Sequence, residues 1–361
     1  MNKIINQYII KEFSKTILNT ILIFLTLGVV LNLFEEIEFF KNLNESISLP
    51  ILLSLSFVPT LVVELLPFII FLGSMFFFLQ LKSKKDLLSI KTFGYSNLKI
   101  ISIVAFTAFL FGIFVLFAIN PITSALIKHY EIEKAQHARD VDHLISVNKN
   151  GLWIKEIDDF GYKIINAERI DEDNLKDVSV YIFDAGNKIL KRIEAKSALI
   201  TSNPWRMKKV YVYDLVNNQQ TVKFDSYEFE TEKISEKINS LYRNLNTISF
   251  VDSISNYKEL NQRGYSKTLL NEKINKFISL PFFLFLMVVL ASIFTIGSVN
   301  AKQNFYYIII SILISVIIYF FKDLSIALGQ TGKISLVLSV WIPLIAVSLF
   351  CAIGVIQINE K

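Results

Sequence analysis

Residues 98–120 read LKIISIVAFTAFLFGIFVLFAIN, and this stretch decides the fold. After Lys99 it holds no ionisable side chain, and it ends at Asn120-Pro121. A helix needs about 20 apolar residues to cross the hydrocarbon of a bilayer. Beyond Pro121 the composition reverses, with Lys128, His129, Glu131, Glu133, Lys134, His137 and Arg139 in quick succession. The chain crosses a membrane here and then enters water.

Five further stretches meet the same requirement, at about 16–34, 50–80, 277–299, 304–328 and 334–357. The second is longer than one crossing needs and contains Pro59 and Pro67, so a kink or strong tilt is expected. The fifth is interrupted near its end by Lys322 and Asp323. The hydrophobic share of 53% and mean hydropathy of +0.47 exceed what soluble domains show, and the excess is concentrated in these stretches. The first follows Lys3, Lys11 and Lys15 and continues to Leu33 before Phe34-Glu35-Glu36. That is too long for a cleaved signal core, so it reads as an uncleaved span. The single cysteine, Cys351, lies in an apolar run. One chain then offers neither a disulfide nor a cysteine zinc site, and Cys351 reads as a small membrane-facing hydrophobe.

Net charge, +5, says less than its placement. The N-terminal flank is basic, the loop after span one (Glu35, Glu36, Glu38, Lys41, Glu45) is acidic, and the loop after span two carries Lys82, Lys84, Lys85, Lys91 and Lys99 against Asp86. Retained Lys and Arg mark the cytoplasmic side. Both termini are therefore expected in the cytoplasm, with residues from about 121 to 270 outside.

Within that insert, residues 151–230 alternate apolar and charged side chains, as in Gly151-Leu-Trp-Ile-Lys-Glu156, Val178-Ser-Val-Tyr-Ile-Phe183 and Val210-Tyr-Val-Tyr-Asp214. Period-two alternation predicts half-buried strands. Asp158-Asp159-Phe-Gly161, Ala185-Gly-Asn187 and Asn217-Asn218 supply turn signals between them. Six or more such strands make a small sandwich or jelly roll; an open sheet edge is normally an aggregation liability and can dock another sheet, so the domain either takes a β-partner or has none. Helices are predicted on both sides, at about 123–146 and 252–275. Their basic residues either anchor the helices at the membrane surface or meet anionic head groups.

Lys82 to Ser96 is too polar to span and too short to be a domain. Residues 84–93 fit a short helix presenting Leu87, Leu88, Ile90 and Phe93, with Gly94 as its stop and Ser96 as the cap of span three. Such a helix either docks in a groove of a partner, an ATPase domain, or lies on the bilayer. The chain has no P-loop of its own; Gly329-Gln-Thr-Gly-Lys-Ile-Ser335 has only two residues between its glycines and reads as a turn. His129, His137 and His143, near Glu131, Glu133, Asp140 and Asp142, lack metal-ligand spacing. No nucleophile elbow is present. Glu64 falls near the middle of span two, where a charge costs about 2.5–3.5 kcal/mol on insertion scales, and is read as lining a wet cavity or hydrogen-bonded to a neighbouring span.

Three spans, a β-rich insert and three more spans resemble the LptF/LptG permeases over nearly the whole chain. Asn150-Gly-Leu-Trp-Ile-Lys155 is similar to the strand that opens the LptG jelly roll. Ser179-Val-Tyr-Ile-Phe183, and Trp205-Arg-Met207 after Ile193-Glu-Ala195, resemble later strands. Ala327-Leu-Gly329 and Trp341-Ile-Pro343 resemble the region of the last loop and span. The Trp-containing strand is closer to LptG than to LptF.

The resemblance implies an ABC-transporter permease subunit that extracts lipopolysaccharide from the inner membrane and passes it to a periplasmic bridge. The implied partners are an LptF-like permease, an LptB-like ATPase dimer, LptC and, through jelly-roll stacking, LptA. No cofactor is expected on this chain, with ATP and Mg on the ATPase. Residues 1–122 are assigned to spans one to three with the coupling helix at about 82–95, 123–270 to the periplasmic domain with its jelly roll at about 148–235, and 271–361 to spans four to six. The family's coupling helix carries an acid eight positions before a glycine; Asp86 and Gly94 stand there, with Leu87, Leu88 and Ile90 as the docking face. Lys128 occupies a place where the family contacts lipid phosphate, while Glu131 and Asn32 stand where other basic residues are expected. Lys41, Lys273 and Lys276 are candidates to compensate, and Glu64 to line the cavity. Another ABC exporter, or a membrane sensor or scaffold with a β-sandwich reader, is the alternative; exporters of the macrolide or lipoprotein-release type carry their outer domain after the first span.

Overall fold

The computed structural model describes residues 2–41, 46–137, 143–148, 151–158, 161–171, 174–184, 186–200, 204–214, 221–231, 245–262, 265, 267–296 and 301–359. In chain order come α1 (Asn2–Phe40), α2 (Ser48–Glu64), α3 (Leu66–Ser83), α4 (Asp86–Thr92), α5 (Asn97–Phe114), a π-helical turn (Val115–Ile119) and α6 (Asn120–His137). Seven strands follow: β1 (His143–Asn148), β2 (Gly151–Asp158), β3 (Gly161–Asp171), β4 (Asn174–Asp184), β5 (Ile189–Leu199), β6 (Trp205–Asp214) and β7 (Val222–Phe229). The chain ends with α7 (Phe250–Ser255), α8 (Tyr257–Gln262), α9 (Lys267–Ile296), α10 (Ala301–Gln330) and α11 (Leu336–Asn359). Two compact units result. One comprises Met1–Glu133, Asn246–Val251 and Asn271–Lys361, the other Lys134–Leu245 and Asp252–Leu270.

In the first unit, backbone amides in hydrocarbon have no water to bond, so the apolar runs satisfy them internally as helices. Among the described residues six helices are long and apolar enough to cross a membrane: Lys3–Phe40, Leu66–Ser83, Asn97–Lys134, Lys267–Ile296, Ile309–Gln330 and Leu336–Gln357. Each overlaps one predicted span. The apolar run at 50–80, however, is divided at Leu65 into α2 and α3 rather than kinked. Pro67 lies in the first turn of α3, where a missing N–H is harmless. Glu64 consequently sits exposed at the end of α2, not in the middle of a span. Likewise α1 runs on to Phe40, so Glu35, Glu36 and Glu38 lie on a helix instead of in a loop. Glu36 is buried there and accepts a hydrogen bond from the Tyr130 hydroxyl at 2.8 Å.

Spans in lipid associate through close packing and small residues rather than by expelling water. A Cβ on Gly112 of α5 would stand 2.7 Å from the Cα of Pro281 on α9, and one on Gly73 of α3 would stand 2.5 Å from Cδ1 of Ile17 on α1. Phe71, Phe77, Phe78, Ile100, Val104, Leu284 and Met287 fill the shared core, with Phe13 edge-on to Phe77 at 5.5 Å. Cys351 is buried, its Sγ 3.7 Å from the Leu286 carbonyl, so it faces α9 and not the lipid as its sequence context suggested.

The second unit is built on one antiparallel sheet in the order β1-β2-β3-β4-β5-β6-β7. The expected alternating segments fall in β2, β4 and β6. In β4, β5 and β6 the alternation changes phase partway along. Buried positions are Leu175 and then Val178 and Val180 in β4, Ile193 and Ala195 and then Ala198 and Ile200 in and just after β5, and Trp205 and Met207 and then Val210 in β6. The slip falls at Asp177, Lys196 and Lys209, which lie side by side across the sheet; Asp177 (φ 51°) and Lys209 (φ 53°) are left-handed. Lys196 Nζ donates to Asp177 Oδ1 across this line at 2.7 Å. Bulge-like irregularities bend strands, and here a row of them folds the sheet so that both strand halves face one interior.

The sheet also curls across its strands. Flat, β2 and β7 would be about 24 Å apart at ~4.8 Å per strand. Yet the Thr231 hydroxyl, just past β7, donates to Glu156 of β2 at 2.9 Å, and Lys163 of β3 lies 5.9 Å from the Phe229 ring. The result is a roll closed by bending, lined by Leu152, Ile154, Ile165, Trp205 and Phe229. At the β4–β5 turn Asp184 Oδ1 accepts from the amides of Gly186 (2.9 Å) and Lys188 (2.8 Å), with Asn187 left-handed at φ 64°. Asp159, Ala185 and the Asn217-Asn218 turn lie outside the described residues, as do Asp140, Asp142 and Asn150. The helix expected over 123–146 stops at His137, and His143–Asn148 is a strand. The one expected over 252–275 is divided among α7, α8 and the start of α9.

The close approach of α5 to α9 at Gly112 gives a direct test. Gly112→Val should destabilise the chain by about 1–3 kcal/mol through overpacking, read as a lower apparent melting temperature in detergent.

Candidate functional site

The segment from Lys82 to Ser96, expected to couple to an ATPase, is built from both ends. Ser96 caps α5, its Oγ accepting from the Lys99 amide at 3.2 Å. Gly94 ends α4 with φ +81°, and its amide bonds to the Lys91 carbonyl at 2.9 Å. The helix is only seven residues long, Asp86–Thr92. Ile90 is buried in the helix core and Leu87 is half-buried against it. Leu88 is 65% exposed and Phe93 54%, so half of the apolar face is rooted and half is presented. The second turn of α1 braces this foot: Tyr8 donates to Asp86 Oδ2 at 2.8 Å, and Tyr95 donates to Asn6 Oδ1 at 2.8 Å. Lys99 Nζ sits 4.0 Å over the Tyr95 ring. The Tyr8–Asp86 contact joins positions 78 apart, which no local motif reports.

The residues expected to meet lipid phosphate separate into three groups. Lys41 follows Phe40, and Lys128 follows Ile127; Phe40 and Ile127 share a buried cluster with Leu53 and Tyr130. Lys41 and Lys128 are both exposed, and the cluster brings them to the same end of the helices. Asn32 is buried instead of presented, and Glu131 is half-buried. Lys273 is a different case: it is buried, donates to the Ile248 carbonyl and lies 5.6 Å from the Phe277 ring. It therefore ties α9 to the segment that carries Ile248. Lys276 is half-buried and lines a crevice with Lys322.

That return segment was not legible in the sequence. Asn246 Nδ2 donates to Glu64 Oε1 at 3.0 Å, Ser124 Oγ donates to the Ile248 carbonyl at 3.3 Å, and the Phe250 amide donates to buried Asn120 Oδ1 at 2.6 Å. Phe250 packs between Phe117 and Phe277, at 5.9 and 5.8 Å. Residues 246–250 are thus stitched to α2, the end of the third span and α9. The adjoining π-helical turn reaches back five residues, from the Asn120 amide to the Val115 carbonyl; such turns often mark functional positions.

His129 is exposed, and the side chains of His137 and His143 lie outside the described residues. Among the described residues no group of three metal-ligating side chains converges. Gly329 packs against Ser339 of α11, and Gly332 (φ +74°) makes the turn that follows α10.

Six membrane-length helices, three on either side of an inserted β-roll, with a half-rooted amphipathic foot between the second and third spans, define a polytopic membrane permease. The chain belongs to the lipopolysaccharide export system permease LptF/LptG family, which it matches over residues 7–357. It is accordingly a lipopolysaccharide transport permease of the multi-pass inner-membrane type. No curated protein matches the chain.

The stitched segment predicts a local effect. Asn120→Ala leaves the Phe250 amide without its acceptor, a loss of about 1–3 kcal/mol. Hydrogen exchange at that amide should accelerate by about tenfold for each 1.4 kcal/mol.

Proposed function

We propose that this chain is the LptG-like half of a lipopolysaccharide exporter driven by a separate LptB-like ATPase through α4. One observation carries the reading: a seven-residue helix whose Ile90 is fixed in the helix core while Leu88 and Phe93 stay uncovered. A helix lying on a bilayer would have no reason to be rooted so firmly at one residue. Helix-in-groove docking needs both parts, an exposed anchor and a rigid root that passes displacement on. Asp86, Leu87, Leu88, Ile90 and Gly94 form this unit, with Tyr8 setting the Asp86 carboxylate. The basic flank of α1 and Lys82, Lys84, Lys85 and Lys91 support a cytoplasmic position for it, with both termini on the same side and the β-roll in the periplasm.

The substrate path follows from exposed apolar surface. Leu18, Leu22, Leu27, Leu31 and Phe34 of α1 and Leu313, Ile317, Phe320 and Leu324 of α10 leave long stripes uncovered. Paired with an LptF-like permease, such stripes enclose an acyl-chain cavity that makes no hydrogen-bond demands. Lys41 and Lys128 mark its phosphate-meeting rim, with Glu64 exposed at the break between α2 and α3. Closure of the ATPase dimer moves α4, narrows the cavity and drives lipid out toward the β-roll. The roll's apolar interior and its β1 and β7 edges suit acyl chains and strand addition, the means by which LptC and LptA would extend a bridge.

Copurification tests the reading. Wild-type chain in mild detergent should bring down a separate ATPase, and Leu88→Glu should reduce that by about tenfold or more, the loss of one buried apolar anchor plus the cost of a buried charge. The melting temperature of the variant should not change, because Leu88 lies outside the core. Unchanged ATPase recovery would exclude this docking face.

A further inference from the structure

Lys276 of α9 and Lys322 of α10 open into one crevice walled by Leu280, Phe283, Pro343 and Leu344. Its empty volume is about 290 Å³, open solvent at the mouth included. Neither lysine makes a hydrogen bond or ion pair through its ammonium group to a described residue. Lys322 Nζ instead lies 5.6 Å from the Phe283 ring and 5.9 Å from the Tyr319 ring. Glu64 and Asp323 act electrostatically on Lys322, and Glu272 on Lys276, without closing an ion pair: Glu272 accepts from Gln330 Nε2 at 3.0 and 3.3 Å, Glu64 accepts from Asn246 at 3.0 Å, and Asp323 is exposed. Ser279, also at the crevice, donates to the Lys276 carbonyl at 2.8 Å.

Two like charges facing one apolar-walled space repel each other and are poorly solvated, and a shared anion relieves both. The depth of the crevice indicates the source of that anion. Trp341, beside crevice residue Val340, donates from Nε1 to Asn275, beside Lys276, at 3.2 Å. Tryptophan favours the level where head groups meet hydrocarbon. The crevice also faces away from the exposed stripe of α10. Lys322 is two residues from both Phe320 and Leu324, a rotation of about 200° from each.

We propose that this crevice binds the phosphate of an anionic membrane phospholipid, as a resident lipid holding α9, α10 and α11 together apart from the transported substrate. Full-length chain in mild detergent, incubated with phosphatidylglycerol or phosphatidylcholine and weighed intact by native mass spectrometry, tests this. Phosphatidylglycerol should be retained about tenfold over phosphatidylcholine. The Lys276→Gln, Lys322→Gln double variant should lose that preference, and Lys322→Arg should keep it. Each single glutamine substitution should lose part of it, a readout that stands if the double variant unfolds. Competition by inorganic phosphate would assign recognition to the phosphate alone, and its failure to compete would assign it to phosphate together with the acyl chains. Equal retention of the two lipids by wild-type chain, or an unchanged preference in a double variant with wild-type melting, would overturn the proposal. So would lipopolysaccharide adducts that fall in parallel in that variant, since they would put the crevice on the transport path.

Discussion

The structure rests on one constraint: a peptide group inside a bilayer must find its hydrogen bond within its own segment. Helix is the only answer open to a single apolar run, which fixes six of the elements and places every strand outside the spans. The same constraint governs the irregularities. The break at Leu65 leaves Glu64 at a helix end, where Asn246 can reach it. The third span does not break before Pro121 but widens into a π turn, keeping its amides bonded. Where the chain comes back from the β-unit, its polar groups are claimed one by one by Asn120, Ser124 and Lys273.

Much of this could be read in the sequence, because composition alone sets span number and strands announce themselves by alternation. The foot was legible for local reasons: Gly94 supplies a left-handed stop and Ser96 a cap, each acting within a few residues. What stayed hidden is long-range. Nothing near Tyr8 predicts Asp86 as its acceptor, and nothing near Asn120 predicts the Phe250 amide. The phase slip in the strands is visible in retrospect as apolar residues passing from odd to even positions, as at Met207 and Val210. A scan for uniform alternation reads across such a slip.

A lysine near a span end has the same signature whether it meets a head group, snorkels or bonds a carbonyl. Lys41 and Lys128 are exposed at one end of the helices, Lys273 is consumed by the Ile248 carbonyl, and Lys276 shares a crevice with Lys322. Lys322 reads in the sequence as a mere interruption of an apolar run. In the fold it is the charge around which three spans converge.

The account requires the foot and the β-roll to lie on opposite faces of the membrane, and cysteine labelling reads this directly. Cys351 is the only cysteine, so Cys351→Ser gives a thiol-free background. Single cysteines at exposed Leu88 and exposed Lys188 then report the two faces. A membrane-impermeant maleimide should label the Lys188 position in intact spheroplasts and the Leu88 position only in inverted vesicles. Labelling of both from the same side would contradict the account.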